Sequence, residues 1–164
     1  MNKLNAIFAI DQLGGIGKNG SLPWPNNSKD LQYFKTKTLG HTVIMGRKTW
    51  DDSLMPKPLP GRTNVVLTHR DIHHPIPYPG VVCYDNLEKA ITWYLIKSEV
   101  WVIGGSNVLL QLAGRYDLIL VTVFHENYNC DTFINLSDLK IDKYNKTVVG
   151  VGSNFTRFEY ENIH

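Results

Sequence analysis

The chain has 164 residues, of which 43% are hydrophobic and 20% are charged, and its formal net charge is +2. This length is enough for one hydrophobic core, so we expect a single domain over residues 1–164. The small net charge argues against nucleic acid as a partner. Because no apolar run approaches the length of a membrane span and the first residues lack a signal-peptide pattern, we expect a cytoplasmic protein with no membrane partner.

Short runs rich in valine, isoleucine and leucine predict strands along the first three quarters of the chain. They cover residues 4–10, 42–45, 64–68, 80–84, 100–103 and 118–124. Helical patterns separate them, at residues 28–38, 47–54, 87–97 and 107–113. Several strands are apolar throughout, which is typical of a parallel sheet buried on both faces. The alternation of strands and helices therefore predicts an α/β fold.

Two more strand-like runs follow near the end of the chain, at residues 144–151 and 154–162. Gly152 and Ser153 lie between them and predict a hairpin. We therefore expect an antiparallel edge on an otherwise parallel sheet.

Asp30 is an isolated acid, one turn into the helix predicted at residues 28–38. Leu31 and Phe34 would share a helix face with its carboxylate. A carboxylate in an apolar pocket is typical of a group that handles a proton in catalysis, and burial should raise its pKa. Taken alone, the position is also typical of a first-turn acid that interacts with the helix dipole, and the residues leave both interpretations open.

The stretch from Gly15 to Gly20 matches the G-x-G-x-x-G string of dinucleotide-binding folds and follows a predicted strand. That motif needs a helix that opens at the glycines, whereas Pro23 and Pro25 follow here. We therefore reject the dinucleotide-binding interpretation and expect a glycine-rich loop.

Two strand-glycine-helix junctions are better candidates for anion sites. The first covers residues 46–49, which include Arg47 and Lys48, and the second covers residues 104–108. Each offers backbone N–H groups at a helix N-terminus, and two such sites suit a diphosphate. Each junction alone is more often simple helix capping, because every helix has N–H groups to satisfy at its start.

Two further basic positions lie in loops on either side of the strand predicted at residues 64–68. Thr68, His69 and Arg70 could hold an additional phosphate together with Arg47. Arg62 ends a proline-stiffened loop and is suited to bind a ligand carboxylate through its forked donors. Both groups are also compatible with ordinary solvated loops.

Other conspicuous side chains have simpler interpretations. Cys83 and Cys130 are too few and too far apart for a disulfide framework, and we expect both to be buried. Trp50, Trp93 and Trp101 are also expected in the core. His73 and His74 are adjacent rather than spaced along one element, so we expect no metal site.

Taken together, these motifs resemble the dihydrofolate reductase family. The matching pieces keep the family's order and spacing from Leu4 to about Phe133. They are residues 4–10, 15–20 and 22–24, Asp30 with Leu31 and Phe34, and residues 43–50, 59–62 and 102–105. The resemblance implies a single-domain α/β fold with an eight-stranded, mostly parallel sheet flanked by four helices, NADPH as cofactor, and reduction of dihydrofolate to tetrahydrofolate. We also expect a monomer.

The resemblance implies roles for individual residues around the pterin ring of the substrate. Asp30 would bind the pterin amino group and the adjacent ring nitrogen, and Thr122 would bridge Asp30 and the pterin. Trp24 would help to position the water that delivers the proton, and the loop ending at Leu22 would close over the nicotinamide. The remaining substrate contacts would come from Ile7, Ala9, Leu31, Phe34, Leu54, Leu59 and Arg62.

The implied cofactor site includes both glycine-helix junctions and the basic cluster after the third strand. Its residues would be Ala9, Ile16, Gly17, Gly20, Ser21, Gly46, Arg47, Lys48, Thr49, Leu67, Thr68, His69, Arg70, Ile103, Gly104, Gly105, Ser106, Asn107 and Val108. The chain departs from the family at two positions. Leu109 stands where the family usually has an aromatic residue, and the proline that usually follows the Asp131-Thr132-Phe133 element is absent.

Two alternatives remain. One is a pyrimidine reductase of riboflavin synthesis, which shares the fold and the cofactor. The set of Asp30, Leu31, Phe34 and Arg62 argues against it, because that set matches a pterin with a carboxylate tail. The other is a folate-binding structural component without turnover, for which the change at Leu109 is the one indication.

Overall fold

The computed structural model describes residues 2–20, 23, 28–52, 55–69 and 79–163. Its strands are β1 Leu4–Ile10, β2 Gly15–Gly17, β3 Thr42–Gly46, β4 Thr63–Leu67, β5 Val81–Tyr84, β6 Val100–Gly104, β7 Leu118–Phe124, β8 Thr132–Phe133, β9 Tyr144–Val151 and β10 Phe155–Asn162. Its α-helices are α1 Ser28–Thr38, α2 Arg47–Asp51, α3 Leu87–Lys97 and α4 Ser106–Gln111. Two short 3-10 helices, Leu136–Leu139 and Ile141–Lys143, lead into β9.

Eight of the strands form one sheet in the order β5-β4-β3-β6-β1-β7-β10-β9. The strands from β5 to β7 in this order run parallel to their neighbours. β10 is antiparallel both to β7 and to β9. The prediction of an eight-stranded, mostly parallel sheet with an antiparallel C-terminal edge is therefore confirmed.

Side chains of the central strand β1 alternate between two hydrophobic clusters, because successive residues of a strand point to opposite faces of the sheet. Phe8 belongs to the cluster that also contains Ile91 of α3 and Leu109 of α4. Ile7 belongs to the other cluster, which contains Trp50 of α2. The carboxyl ends of β1, β3 and β6 meet at one edge of the sheet, which is where open α/β sheets bind ligands.

The ends of α3 illustrate why the sequence predicted most helices well. The Asn86 side chain caps the helix by accepting a hydrogen bond from the Lys89 backbone N–H over 3.0 Å. The buried positions of α3 recur with helical spacing and comprise Leu87, Ala90, Ile91 and Tyr94. Trp93 lies off this stripe, so its side chain is 50% exposed and its predicted core position is wrong.

Three further features differ from the expectations. Helix α2 ends at Asp51 and not at residue 54, because Asp52 leaves the helical region with φ −57° and ψ 122°. Cys83 is exposed on β5 and Cys130 is half-buried, so the expectation that both cysteines are buried is wrong. Strands β2 and β8 were not predicted, and they pair antiparallel to form a small second sheet. Among the described residues, no helix combines the length and apolarity needed to span a membrane.

Candidate active site

Asp30 lies in the first turn of α1 and contacts side chains from two strands of the main sheet. Its carboxylate is only 18% exposed and accepts a hydrogen bond from the Thr122 hydroxyl on β7. Arg157 of β10 also approaches it, with 3.5 Å between Arg157 Nη2 and Asp30 Oδ1. The helix therefore places its one first-turn acid against the sheet and not in bulk water.

Three residues form a row across the sheet beneath Asp30. Thr122 pairs directly with Ala9 of β1 on one side and with Arg157 of β10 on the other. Directly paired residues project their side chains from the same face of a sheet. Asp30 therefore stands over a row in which a small apolar residue and a guanidinium group flank a buried hydroxyl.

The pKa of Asp30 lies above its ordinary value. Burial is the largest cause, because it disfavours the charged form of the carboxyl group. The hydrogen bond from Thr122 and the positive charge of Arg157 act in the opposite direction and reduce the effect. The expected upward direction is thus confirmed, although Leu31 is 46% exposed and does not supply the burial that the sequence suggested.

Arg62 is held at the end of α1 by contacts that orient its guanidinium. Its Nη1 donates to Thr38 Oγ1 over 3.1 Å, and its Nε donates to the Pro60 carbonyl over 2.9 Å. The guanidinium carbon is 5.7 Å from the centre of the Phe34 ring. Partial burial lowers the pKa of Arg62, a direction that leaves the group charged at neutral pH because arginine starts so high.

The loop that carries Arg62 is fastened by one buried side chain, Asn64 of β4. Asn64 Oδ1 accepts from the Leu59 N–H over 2.9 Å, and Nδ2 donates to the carbonyls of Leu59 over 3.0 Å and Arg62 over 3.1 Å. Leu59 is buried in the cluster that also contains Ile7. The predicted substrate residues Leu59 and Arg62 therefore share one rigid support.

The two glycine-helix junctions are adjacent in space, because Met45 of β3 pairs with Gly104 of β6. A Cβ atom on Gly46 would lie 3.2 Å from Val108 Cγ2, so the junctions approach each other closely. Gly104 has a φ of +135°, which a residue with a side chain rarely adopts. Neither α2 nor α4 has a side chain that caps its first turn, so the initial N–H groups of both helices lack a side-chain acceptor and could donate to an anion.

The cationic side chains predicted for the cofactor site lie along the same edge of the sheet. Gly46 at the end of β3 pairs with Leu67 at the end of β4, so Arg47 and Thr68 each follow the last paired residue of neighbouring strands. Arg47 Nε also contacts Asp51 one helical turn later, at 3.1 Å. His69 is exposed. The junctions and this cluster therefore follow the carboxyl ends of three neighbouring strands, β4, β3 and β6, so their cationic and N–H groups share one edge of the sheet.

Comparison with known proteins identifies this arrangement. The dihydrofolate reductase family model matches residues 3–154 of the chain. The chain belongs to the dihydrofolate reductase family. It is 35% identical over 147 residues to the type 8 dihydrofolate reductase of Escherichia coli, which covers 87% of this chain and 86% of that one. It is 39% identical over 133 residues to the dihydrofolate reductase of Mycobacterium leprae, which covers 77% of this chain and 78% of that one.

A solved structure agrees with the family assignment. Dihydrofolate reductase from Enterococcus faecalis, complexed with NADP(H) and RAB-propyl, superposes with a TM-score of 0.80 at 32% identity. The match covers 99% of this chain and 97% of the other. Membership of the dihydrofolate reductase family decides against the pyrimidine reductase alternative.

The segment that the dihydrofolate reductase resemblance identifies as the closing loop contains β2, whose position depends on Asp11. The carboxylate of Asp11 is fully buried and accepts from the N–H groups of Leu13 over 2.9 Å, Gly15 over 2.8 Å and Tyr128 over 3.1 Å. The Cys130 thiol also donates to it over 3.4 Å. Burial alone would raise the pKa of Asp11, but these donors outweigh it and hold the pKa below its ordinary value.

The far side of this segment pairs with the loop around Asp131. The Asp131 N–H donates to the Gly17 carbonyl over 3.0 Å, and the Asn19 N–H donates to Asp131 Oδ2 over 2.8 Å. A Cβ atom on Gly15 would collide with the Cys130 sulphur, which explains the glycine. The missing proline after Phe133 therefore does not prevent this pairing in the dihydrofolate reductase fold.

The other departure from the family concerns Leu109. Its side chain is fully buried in the core, and the Tyr116 hydroxyl donates to its backbone carbonyl over 2.8 Å. Leu109 therefore contributes to the packing of α4 on the sheet.

Several predicted site residues lie outside the described part of the chain. They are Ser21, Leu22, Trp24, Leu54 and Arg70. The remaining residues are described, and the edge formed by the ends of β1, β3, β4 and β6 brings most of them together. In the described residues no cluster of three or more histidine, cysteine or acidic side chains could hold a metal ion, and His73 and His74 fall outside them.

Sequence reasoning missed four polar residues that support the site. They are Asp11, Thr38, Asn64 and Arg157. Asp11 and Asn64 carried a usable signal, since a polar residue at the end or in the middle of an apolar strand needs a buried partner. Arg157 carried none, because a charged residue in a terminal hairpin is usually exposed.

Proposed function

We propose that the protein reduces 7,8-dihydrofolate to 5,6,7,8-tetrahydrofolate with NADPH as the hydride donor. The observation that carries this proposal is the largely buried Asp30 carboxylate, which is hydrogen-bonded to Thr122 beside Ala9 of the central strand β1. A buried acid with a raised pKa at such an edge suits a reaction that adds a proton as well as a hydride.

The residues at the two glycine-helix junctions fit NADPH. Gly46 and Gly104 let the two junctions pack closely together, since a Cβ on Gly46 would lie 3.2 Å from Val108 Cγ2 and one on Gly104 would lie 3.4 Å from Thr49 Oγ1. The N-termini of α2 and α4, which have no side-chain cap, would offer N–H donors to the diphosphate oxygens. Arg47, Thr68 and His69 would bind the additional phosphate that distinguishes NADPH from NADH. When bound, NADPH supplies the hydride.

Asp30 would bind the pterin through paired hydrogen bonds to its amino group and the adjacent ring nitrogen. Thr122 holds the carboxylate in place for these contacts, and the Ile7 carbonyl and Ala9 would line the opposite edge of the ring. We infer from the family that Trp24 orients the water from which the reduced ring nitrogen takes its proton.

The tail of the substrate would be bound by the loop that Asn64 fastens. Arg62 would pair with the glutamate carboxylate, because its forked donors match a carboxylate and Thr38 already orients them. Phe34 and Leu59 would contact the aromatic ring between the pterin and the glutamate, together with Leu31, which is exposed toward solvent. All these groups come from one chain, so we also propose that the enzyme acts as a monomer, which size-exclusion chromatography can test.

The deciding experiment measures NADPH oxidation with dihydrofolate in the wild type and in Asp30→Asn. We expect turnover in the wild type and a loss of about a hundredfold to ten-thousandfold in the variant, which is the usual range for removal of a catalytic proton group. NADPH binding, followed by fluorescence, should stay unchanged. Asp138→Asn, at an exposed acid, serves as the control.

Two outcomes would contradict this proposal. Wild-type enzyme that binds dihydrofolate and NADPH without oxidising the cofactor would support the non-catalytic alternative. An Asp30→Asn variant with most of the wild-type turnover at neutral pH would show that Asp30 has no part in the reaction.

A further inference from the structure

Arg157 is the charged residue with the most unusual surroundings in the described part of the protein. It lies on β10, directly opposite Thr122 of β7, and its side chain is only 13% exposed. Arginine is rarely buried to this extent unless another group pairs with it. Its nearest acid is Asp30, with 3.5 Å between Arg157 Nη2 and Asp30 Oδ1.

Two aromatic rings fix the guanidinium in this position. Its central carbon lies 4.2 Å from the centre of the Tyr33 ring on α1 and 4.4 Å from the centre of the Phe155 ring on β10. Such distances are typical of a cation packed against aromatic faces. A planar guanidinium stacks on rings in a way that a lysine ammonium cannot, so the contacts favour arginine specifically.

The guanidinium has donor capacity to spare for the carboxylate. Nε and Nη2 of Arg157 are buried, and neither makes a hydrogen bond of good geometry within the described residues. The 3.5 Å separation from Asp30 is at the long limit of a hydrogen bond. Arg157 therefore acts on Asp30 mainly through its charge, and a small movement of the carboxylate would convert the contact into a direct bond.

We propose that Arg157 is a positioning residue for Asp30. Arg157 holds the Asp30 carboxylate from the side away from Ala9 and controls the charge that Asp30 presents to the substrate. This proposal rests on the function proposed above. In the row of Ala9, Thr122 and Arg157, the Ala9 side is where the pterin is proposed to bind. Arg157 therefore lies behind the carboxylate and does not compete with the substrate.

The other titratable groups on the elements around Asp30 do not duplicate this effect. Tyr33 is on α1 itself, and burial raises its pKa, so its hydroxyl stays neutral at physiological pH. Glu159 is two residues from Arg157 on β10 and interacts electrostatically with Tyr33. Ala9 and Thr122 carry no charge. Arg157 is therefore the positive charge that opposes the effect of burial on Asp30.

The sign of the expected effect follows from the charge. A cation near a carboxyl group stabilises its ionised form, so removal of Arg157 should raise the pKa of Asp30. Any proton that the substrate ring accepts beside Asp30 should also bind more tightly when the cation is removed. Hydride transfer that depends on this proton would then extend to higher pH in the variant.

The test is a ¹³C NMR titration of the Asp30 carboxyl carbon in the enzyme saturated with NADP⁺. The resonance can be assigned by its loss in Asp30→Asn. We expect Arg157→Met to raise the pKa of Asp30 by about one to three pH units, the range observed when a carboxylate loses a neighbouring arginine. Arg157→Lys, which keeps the charge but loses the ring stacking, should give a smaller rise.

Lys146→Met is the matched control. Lys146 lies 4.3 Å from the centre of the Phe158 ring, on the opposite face of the β9-β10 pair from Arg157. The Lys146→Met variant removes the same charge and the same kind of ring contact as Arg157→Met, but it should leave the Asp30 titration unchanged. If Arg157→Met does not fold, Arg157→Gln replaces it, because its amide can still fill part of the site and donate to the carboxylate.

An unchanged Asp30 titration in either folded neutral variant would overturn the proposal and leave Arg157 as a packing residue. An equal rise in Lys146→Met would also overturn it, because the effect would then be one of net charge alone. The single-turnover rate of hydride transfer should show its pH profile shifted in the same direction. Because the NMR titration needs no turnover, it still decides the role of Arg157 if the proposed activity fails.

Discussion

Replacement of Asn64 with alanine should damage substrate binding from a site that never contacts the substrate. The change removes three hydrogen bonds that join β4 to the backbone of Leu59 and Arg62. At about 0.5–1.5 kcal/mol of net stability for each bond, the loss should be about 3 kcal/mol. For a chain of this size that corresponds to a fall in Tm of roughly 6–12 °C.

The kinetic consequence should be confined to one end of the site. When its loop loosens, Arg62 no longer meets the glutamate carboxylate in a fixed orientation, so KM for dihydrofolate should rise by about tenfold, equivalent to about 1.4 kcal/mol. The dissociation constant of NADPH should change little, because Asn64 bonds to the loop before β4, whereas the proposed cofactor residues lie at the carboxyl ends of β3, β4 and β6. Steady-state kinetics, fluorescence titration and thermal unfolding measure the three quantities.

Asn64→Asp keeps the shape of the side chain but replaces its N–H donor with a second acceptor, so this variant tests the hydrogen bonds alone. One oxygen can still accept from the Leu59 N–H, but at neutral pH the other faces the carbonyls of Leu59 and Arg62. The introduced carboxyl group should therefore have a raised pKa in the folded state, so the variant should gain stability as the pH falls. Wild-type stability and KM in Asn64→Ala would refute the reasoning, because they would show that the loop is held without this side chain.

Three further outcomes are expected. Alanine at both Arg47 and His69 should weaken NADPH binding far more than NADH binding, and equal losses in fluorescence titrations would mean that these residues only support the fold. Because burial raises the pKa of Asp30, the single-turnover rate of hydride transfer with deuterated NADPH should be highest at low pH and decrease as the pH rises. A rate that does not change with pH and shows a full isotope effect would contradict the control of hydride transfer by a proton. Asp11→Asn should cost about 2–4 kcal/mol at neutral pH, since an amide cannot accept all four donors. Because the pKa of Asp11 is lower in the folded than in the unfolded state, the stability lost in Asp11→Asn should be fully present above the unfolded pKa of about 3.9 and should disappear as the pH falls through the folded pKa. Urea unfolding at a series of pH values measures this difference. A difference in stability that is the same at every pH would show that it does not come from the ionised carboxylate.

The sequence predicted those elements whose local pattern and tertiary role agree. Helices Ser28–Thr38 and Leu87–Lys97 and strand Leu118–Phe124 have the predicted bounds, because each combines a regular apolar pattern with residues that start or end it. Strands Gly15–Gly17 and Thr132–Phe133 were missed, because such short segments form only where another segment pairs with them. Their pairing depends on Asp11 and Asp131 rather than on their own residues.

The residues of the candidate site fall into two groups: those whose type and position suggest chemistry, and those that hold the first group in place. Asp30 and Arg62 could be selected because an isolated acid and a loop arginine suggest chemistry by themselves. The groups that hold them, Thr38 and Arg157, could not be selected, because their importance comes from contacts across the chain. A pattern along the sequence does not show which distant side chain will complete a hydrogen bond.

The position of β1 has a consequence for how this protein reaches its folded state. Leu4 pairs with Val100 on one side of the strand, and Asn5 pairs with Leu118 on the other, so the central strand has no neighbour from its own part of the chain. During synthesis this apolar strand must wait for most of the chain before it can be buried, which favours slow folding and exposes it to aggregation. The row beneath Asp30 forms later still, because Ala9 lies on β1, Thr122 on β7 and Arg157 on β10. This row is therefore incomplete until β10, the last strand of the sheet, has been synthesised.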